Sequence, residues 1–387
     1  MAKVNPAFRK TVETFAQGAR TLAQKYFVSQ EIFDEEQEKI FSRQWQLVGH
    51  HRQIEQAGDY FVADVAEESL IIARDQRSTI RGFYNVCRHR GTRLCEEQSG
   101  HSSAIQCPYH AWTYGLDGRL IGSPHMDEVQ GFDRSDYSLH PVNLGVWEGF
   151  IFVNLTDDPM PLEEWFAPLA GKFSHWNLPR LKSAKRVEYD VKANWKLMFE
   201  NYSECYHCPG VHPMLSKVSP YDSAENDLTE GPFLGGFMKI NKGKSLTMSG
   251  EVCALRIEHP PSPSYGAAGE GKERVFYYSI FPNMLLSMHP EYVMVHQLWP
   301  QSAERTLIVC DWLFHPDASE RDGFNPEDAI EFWDVTNKQD WHVCELSQQG
   351  IASRAYEPGP YSSRESIPAA WDREYLRRMG EKKTPNA

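Results

Sequence analysis

Two short cysteine and histidine pairs constrain this 387-residue chain more than any other feature. Cys87 and His89 form a C-x-H pair, and after seventeen intervening residues Cys107 and His110 form a C-x-x-H pair. Each pair predicts a tight loop that points one thiolate and one imidazole toward a common point. Such a donor set can hold a tetrahedral zinc ion, or a [2Fe-2S] cluster in which two histidines replace two cysteines on one iron.

The surroundings of the two pairs favour the cluster over zinc. Zinc fingers usually combine a C-x-x-C pair with two histidines on a following helix, whereas here each loop supplies one cysteine and one histidine among predicted strands. Gly91, Gly115 and Gly118 permit the tight turns that bring backbone amides close to cluster sulfurs. The pattern over residues 87–118 resembles the Rieske iron-sulfur motif. The resemblance implies a Rieske [2Fe-2S] cluster with four ligands, which are Cys87, His89, Cys107 and His110.

Composition and patterning indicate a globular protein with both β-rich and mixed regions. Hydrophobic residues make up 41% of the chain and charged residues 24%, as in ordinary folded domains. Residues 45–155 contain short β-rich runs separated by Gly, Asp and Asn, which predicts an all-β domain. Later strands follow one another without intervening helices, which predicts an antiparallel sheet. These strand candidates are residues 276–280, 284–288, 293–298 and 306–313.

Helices are predicted near both ends of the chain. Residues 21–25 and 31–41 have the spacing of short amphipathic helices. Near the C-terminus, Asn325 is a suitable N-cap for a helix over residues 326–349, and Gly350 can end it. Residues 262–272 predict a mobile loop, and the last ten or so residues are expected to fray.

A second group of metal-binding residues follows about 100 residues after the first. Residues 195–208 predict a helix that Pro209 ends. His207 and His212 are five residues apart, which on one continuous helix would place them about 140° apart around the axis. A break between them is therefore needed for both to reach one ion. Two histidines and one carboxylate with open metal positions form the facial triad of non-haem Fe(II) oxygenases.

The carboxylate of such a triad has to come from the late helix. Asp334 lies four residues before Lys338 on a face that is typical of exposed ion pairs. Asp340 shares its face with Trp333 and Cys344, which indicates an inward orientation. Helical geometry therefore favours Asp340 as the third ligand.

Charge and hydropathy exclude several classes of protein. The net charge is −13 and no dense basic run occurs, which argues against binding to nucleic acid or to anionic membranes. No apolar stretch approaches the ~18 residues of a membrane span, and the N-terminus lacks the apolar core of a signal peptide. We therefore expect a cytoplasmic protein with reduced thiols. Six of the eight cysteines are interpreted as thiols of the fold, namely Cys95, Cys205, Cys208, Cys253, Cys310 and Cys344.

The two constellations together resemble the catalytic α-subunit of the Rieske non-haem iron oxygenases over nearly the whole chain. The resemblance implies an α+β fold with an all-β Rieske [2Fe-2S] domain and a helix-grip catalytic domain built on an antiparallel sheet. We expect residues 1–44 to form N-terminal helices packed on the catalytic domain. Residues 45–155 would form the Rieske domain, and residues 156–387 the catalytic domain with its mononuclear iron.

The resemblance also implies roles for individual residues. His207, His212 and Asp340 would bind mononuclear Fe(II). In the family, subunits assemble as trimers, and the cluster of one subunit lies close to the iron of the next. Glu204, three residues before His207 on the same predicted helical face, would hydrogen-bond the ring of that ligand. It would also bond a cluster histidine of the neighbouring subunit and so bridge the boundary. Ring-hydroxylating dioxygenases usually have Asp at this position, so Glu204 argues against arene dihydroxylation.

Residues 200–208 and 281–292 resemble the branch of the family that acts on glycine betaine, choline, carnitine or stachydrine. The aromatic content of 12% suits such cations, because aromatic faces attract quaternary ammonium groups. The resemblance implies a monooxygenase that uses O2 to hydroxylate a C–H bond and thereby N-demethylates its substrate. Since the chain has no G-x-G-x-x-G of its own, electrons would come from an NAD(P)H-dependent flavin and iron-sulfur reductase.

Two alternative functions remain open at this point. One is an oxygenase that hydroxylates the ring of an aromatic acid with the same metals in a different pocket. The other, from a different class, is a Rieske electron-transfer protein without oxygenase activity.

Overall fold

The computed structural model describes residues 7–254, 273–320 and 322–380, so the predicted loop at 262–272 and the residues after 380 lie outside the described chain. Two compact units are present. One is Gln37–Ala167, and the other combines the N-terminal segment up to Glu36 with the chain from Pro168 onward. No helix in the described ranges is long and apolar enough to cross a membrane.

The N-terminal segment contains strand β1 (Arg9–Lys10) and helices α1 (Lys25–Val28) and α2 (Gln30–Glu36). The helix predicted over 21–25 is wrong, because Thr21 is held in an extended segment by a hydrogen bond from its backbone N to Gly359 O at 3.0 Å. The predicted helix over 31–41 is confirmed as helical, although its last five residues form a π-helical turn.

The unit Gln37–Ala167 is built from three small antiparallel sheets, with the strand orders β5-β4-β3-β6, β10-β11-β2 and β7-β8-β9. It also contains one short α-helix, α3 (Leu162–Trp165). The strands are β2 (Gln46–His50), β3 (Asp59–Val65), β4 (Glu68–Arg74), β5 (Ile80–Tyr84), β6 (Ser99–His101), β7 (Ala104–Gln106), β8 (Thr113–Gly115), β9 (Leu120–Gly122), β10 (Asn143–Trp147) and β11 (Phe150–Asn154).

This unit is longer than the predicted range 45–155 on both sides. Contacts of both flanking segments explain the difference. On the N-terminal side, Asn154 Nδ2 donates to the Arg43 carbonyl at 3.1 Å, and on the C-terminal side, side chains after the last strand pack back onto the sheets. The indole of Trp45 donates to the Met160 carbonyl at 2.9 Å, and Trp147 stacks on Phe166 with ring centroids 4.3 Å apart. Burial of such large aromatic surfaces ties the flanking segments to the sheets.

The second unit contains one eight-stranded antiparallel sheet in the order β1-β13-β14-β15-β16-β17-β18-β12. This confirms the predicted serial antiparallel strands. The elements are β12 (Lys182–Val191), α4 (Trp195–Tyr202), α5 (Cys208–Val211), α6 (Pro213–Val218), β13 (Glu225–Leu228), β14 (Phe233–Lys239), β15 (Arg274–Ile280), β16 (Met284–Met288), β17 (Val293–Ser302), β18 (Arg305–Phe314), α7 (Pro326–Ile351) and α8 (Ser366–Met379).

Helix α7 confirms the predicted late helix but not its caps. The Asn325 side chain makes no capping hydrogen bond; its backbone N–H instead donates to Cys253 O at 2.8 Å. The helix continues past Gly350 to Ile351. It packs beside α4, where Gln348 Oε1 accepts from the backbone N of Asn194 at 3.0 Å. Helix α7, which carries Asp340, is therefore joined directly to the start of α4, the helix that precedes His207 and His212.

Buried ionisable groups anchor α4. Lys196 is fully buried, and its Nζ lies 2.6 Å from Glu36 Oε1. One turn further on, the carboxyl groups of Glu200 and Asp372 hydrogen-bond each other. Two carboxyl groups can bond only if they share a proton, and burial raises the pKa of Asp372 to about 7. Helix α4 is thus held by a buried ion pair and by a proton that two carboxyl groups share.

Candidate metal centres and active site

The two cysteine and histidine loops of the smaller unit have the same pattern of backbone hydrogen bonds. In the first, the backbone N of Cys87 donates to Thr92 O, and the N–H of Gly91 donates back to Cys87 O. In the second, Cys107 and Ala111 make the corresponding bonds, with Trp112 O as the acceptor. The residue four positions after each cysteine has a positive φ, +77° at Gly91 and +56° at Ala111. Ala111 rather than the predicted Gly115 therefore provides the second left-handed turn.

These loops bring together the four residues that the sequence suggested as cluster ligands. The Cys87 and Cys107 side chains contact each other without forming a disulfide. The rings of His89 and His110 lie 4.7 Å apart, and His89 stacks on Trp112. Within the described ranges, Nδ1 of each of these two histidines is buried and has no hydrogen-bond partner.

The donor chemistry fits a [2Fe-2S] cluster with two cysteine and two histidine ligands. Burial raises the pKa of the Cys87 thiol, so a thiolate here needs a positive partner such as iron. Burial lowers the pKa of His89, which keeps its imidazole in the neutral, metal-binding form. The unpartnered Nδ1 atoms are the atoms available for coordination.

The second group of donors lies where α4 ends. The predicted helix over 195–208 is wrong beyond Tyr202, because residues 203–207 form a turn before α5 begins at Cys208. Pro209 does not end a helix here but stands in the first turn of α5, where its missing N–H costs no hydrogen bond. The break therefore precedes His207 instead of following it, and α5 separates the two histidines.

The turn is stabilised by Glu204 and by a disulfide. The Glu204 carboxylate accepts from the backbone N–H groups of Tyr206 and His207. Cys205 and Cys208 form a disulfide. This corrects the prediction that both are thiols of the fold, and the turn explains it by bringing their Cα atoms to 5.0 Å. The remaining six cysteines are free and buried.

Three donor atoms converge at one point between α5 and α7. Nε2 of His207 lies 3.2 Å from Nε2 of His212, and Asp340 Oδ1 lies 3.3 Å and 2.8 Å from these two atoms. Asp334, the other carboxylate considered, faces away and bonds Lys338 Nζ at 2.6 Å. The structure thus brings His207, His212 and Asp340 together and leaves Asp334 outside.

This donor set fits a metal ion bound on one face. Ligand atoms about 2.1 Å from a metal and at right angles to one another lie about 3 Å apart, as these three do. Burial alone would lower the pKa of His207, but hydrogen bonds with Asp340 and Glu204 raise it to about 10. Burial would raise the pKa of the Asp340 carboxyl, but its two histidine partners hold it below 3.8. The site therefore favours positive charge, as a metal would provide.

Each histidine is oriented through its other ring nitrogen. Glu204 Oε1 lies 2.5 Å from Nδ1 of His207, although through the turn and not along the predicted helical face. Gln339 Oε1 lies 2.8 Å from Nδ1 of His212. Both contacts leave Nε2 free for the metal. Sequence reasoning missed the role of Gln339; its position next to Asp340 on α7 was the only available signal.

A cavity of about 320 Å³ adjoins the three donors. Its wall contains residues of α4, the turn after it, the sheet and α7. Seven aromatic side chains contribute to this wall, namely Tyr202, Tyr206, Tyr221, Phe237, Tyr277, Trp333 and Trp341. The volume suits a small-molecule substrate, and the aromatic faces suit an organic cation.

Comparison with known proteins agrees with this geometry. The family profile "Rieske [2Fe-2S] domain" matches residues 44–133, and "Ring hydroxylating alpha subunit (catalytic domain)" matches residues 178–381. The glycine betaine monooxygenase oxygenase subunit of Chromohalobacter salexigens is 32% identical over 382 residues, which cover 89% of this chain and 82% of that protein.

One further relative and one solved structure are similar to the chain over most of its length. The carnitine monooxygenase oxygenase subunit of Escherichia coli K12 is 30% identical, with 88% of this chain and 86% of that protein covered. A solved quaternary ammonium Rieske monooxygenase superimposes with a TM-score of 0.80 at 26% identity, covering 96% of this chain and 100% of that one. By its two matched domains and these relatives, the chain belongs to the Rieske non-haem iron oxygenase family, as a catalytic α-subunit.

Proposed function

We propose that this chain is the oxygenase component of a monooxygenase that hydroxylates and N-demethylates a quaternary ammonium compound such as glycine betaine. The observation that carries the proposal is the aromatic cavity beside His207, His212 and Asp340. A permanent cation held against aromatic faces gains about 0.5 to 2 kcal/mol per contact. The names of the relatives support the same substrate class.

The metal centres and the side chains around them would have different roles in the reaction. When bound, the [2Fe-2S] cluster would supply single electrons and the mononuclear iron would activate O2. In this proposal Glu204 and Gln339 hold the ligand histidines in the tautomer that exposes Nε2. Glu204 would also contact a cluster histidine of a neighbouring subunit in a homotrimer and so shorten the electron path.

The proposed reaction balances as follows. One O2, two electrons and two protons convert an N-methyl group into an N-hydroxymethyl group and one water. The hydroxyl group of this carbinolamine then gives its proton to solvent and the C–N bond breaks, with the C–N electron pair going to nitrogen, which releases formaldehyde and leaves the demethylated amine. The electrons would come from NAD(P)H through a separate flavin and iron-sulfur reductase. We place the enzyme in the cytoplasm, where such a partner is available.

The test is turnover of the metal-loaded protein with a reductase and NADH, using glycine betaine, choline, carnitine and stachydrine as substrates. Formaldehyde formed in proportion to NADH consumed is the expected result. No formaldehyde from any methylammonium compound would overturn the proposal. Iron analysis separates it from the electron-carrier alternative, because an oxygenase would bind a third iron per chain in addition to the two of the cluster.

One observation keeps an aromatic acid as a second candidate substrate. Lys10 and Arg364 contribute to the cavity wall and can pair with a carboxylate. The same residues can equally pair with the carboxylate of a betaine. Benzoate-type acids in the same assay distinguish the two, since ring hydroxylation yields a phenol and no formaldehyde.

A further inference from the structure

A directional chain of hydrogen bonds runs from the surface of α7 into the cavity wall. Lys338 Nζ donates to Asp334 Oδ2 at 2.6 Å, and the Tyr189 hydroxyl donates its only hydrogen to Asp334 Oδ1 at 2.8 Å. The Tyr189 oxygen is therefore left as an acceptor. It accepts from Nδ2 of Asn337 at 3.4 Å.

This series of hydrogen bonds fixes the orientation of the Asn337 amide. Its Nδ2 faces both Tyr189 and, at 3.8 Å, the Cys310 sulfur, so its Oδ1 faces Nε2 of His296 at 3.3 Å. An amide oxygen can only accept a hydrogen bond. Nε2 of His296 therefore carries the hydrogen of the imidazole ring.

The other ring nitrogen of His296 is then a lone-pair acceptor. The side chain is 1% exposed, and burial lowers its pKa to about 4, so the ring is neutral at physiological pH. Across the residues that the structure describes, Nδ1 of His296 has no hydrogen-bond partner. A buried acceptor without a partner is unfavourable, and His296 belongs to the wall of the substrate cavity.

Other polar groups in this part of the wall bond to one another. The Tyr202 hydroxyl pairs with Ser287 Oγ at 2.9 Å, and Ser203 Oγ pairs with Ser279 Oγ at 3.0 Å. Nδ1 of His296 takes part in neither pair. A ligand that carries a hydrogen-bond donor would satisfy it.

We infer that His296 is a specificity-determining residue whose Nδ1 accepts a hydrogen bond from a hydroxyl group of the substrate. The inference rests on the proposed function and narrows it. A quaternary ammonium nitrogen has no N–H, so the donor has to be a hydroxyl elsewhere in the molecule. Hydroxyl-bearing methylammonium compounds are then bound more tightly than compounds of the same shape without a hydroxyl.

Two ligand pairs test this inference directly. Carnitine and γ-butyrobetaine differ by one hydroxyl, and choline and propyltrimethylammonium differ by replacement of a hydroxyl with a methyl group. Calorimetry on the metal-loaded chain, without reductase or reductant, measures the Kd values. We expect the hydroxylated member of at least one pair to bind about 10-fold more tightly than its partner.

Three variants test whether the tighter binding of the hydroxylated ligands depends on His296. In His296→Leu, the ratio of the two Kd values within a ligand pair is expected to fall to about 1. His296→Asn can place an amide oxygen near the Nδ1 position and should restore part of the ratio. Gln301→Leu, at an exposed position of the same strand β17 and outside the cavity wall, is the control and should keep the wild-type preference.

The outcomes separate the inference from the proposed function. Equal binding within both pairs by the wild type, an unchanged preference in His296→Leu, or an equal loss of affinity for both members would overturn the inference alone. If none of these cations binds the wild type, the proposed function fails and the inference fails with it.

Discussion

Glu204 Oε1 and Nδ1 of His207 lie 2.5 Å apart, within a turn that Glu204 also stabilises through two backbone N–H groups. The same carboxylate therefore shapes the turn and sets the ring orientation of His207, one of the three residues of the candidate metal site. Its negative charge further favours a positive centre beyond the imidazole. Removing the charge while keeping the hydrogen bond separates these contributions.

Glu204→Gln is expected to keep both metals bound, because the amide oxygen can still accept from Nδ1 of His207. Electron transfer from cluster to iron should slow by about 10- to 100-fold, since the charge is lost. Rapid-mixing single-turnover kinetics measure this rate. Glu251→Gln, an exposed residue paired with Lys244, serves as the control. Unchanged kinetics in Glu204→Gln would contradict a bridging role.

Asp340→Ala should remove the mononuclear iron and abolish turnover. The cluster should remain, so the expected iron content falls from three to two per chain with an unaltered visible spectrum. Asp334→Ala, on the same helix but bonded to Lys338, is the matched variant and should retain the third iron. A full iron complement in Asp340→Ala would exclude this carboxylate as a ligand.

Gln339→Ala should weaken binding of the mononuclear iron by about 10-fold, because His212 would lose the partner that fixes its tautomer. Chelator competition gives the affinity. Gln349→Ala, at an exposed position of the same helix, provides the comparison. If both variants held iron equally tightly, the contact between Gln339 and His212 would have no role in metal binding.

Asp372→Asn should make stability less dependent on pH. The pKa of Asp372 is about 7 in the folded chain and near 3.8 when unfolded, so below about pH 4 the residue is protonated in both states. As pH rises from 4 to 7, the unfolded chain loses this proton first, and stability falls. The wild type should therefore lose thermal stability between pH 5 and 8 more steeply than Asp372→Asn.

Thermal denaturation followed by circular dichroism measures that difference. Asp190→Asn is the control, because a hydrogen bond from Arg305 holds the pKa of Asp190 below its usual value and the residue stays charged throughout this range. Parallel pH profiles for the wild type and Asp372→Asn would argue against a shared proton between Glu200 and Asp372.

Gly91 and Ala111 occupy equivalent positions of the two cluster loops, and both have positive φ. A Cβ at Gly91 would meet no atom within 4 Å, so Gly91→Ala tests backbone conformation alone. We expect a loss of about 1 kcal/mol, and a gain of up to that size for Ala111→Gly. Differential scanning calorimetry with the cluster bound measures both. Equal midpoints for the two variants would contradict the equivalence of the loops.

Local spacing was sufficient to predict what lies within a few residues of each cysteine or histidine. The Cys87 and Cys107 loops and the serial strands of the large sheet depend on such short-range patterns. Helix α7 was likewise recognisable from its first turn and its inward face. These features need no knowledge of distant contacts.

Features that depend on tertiary contacts were not predictable in the same way. The end of α4 at Tyr202 follows from the turn held by Glu204, and the disulfide between Cys205 and Cys208 follows from the same turn. The pairing of Gln339 with His212 joins residues 127 positions apart. Helical periodicity alone favoured a continuous helix beyond the true end of α4, and it carried no information about the pairing of Gln339 with His212.

One turn of α7 carries Asn337, Gln339 and Asp340, which contact His296, His212 and the point where the three donor atoms converge, respectively. With no loop between them, these three side chains form one rigid unit, so a substitution that shifts the helix alters all three contacts at once. Evolution of a new substrate preference is therefore constrained on α7. Divergence among related enzymes should accumulate on the sheet side of the cavity, at positions such as Phe237 on β14, where a side chain can change without shifting α7.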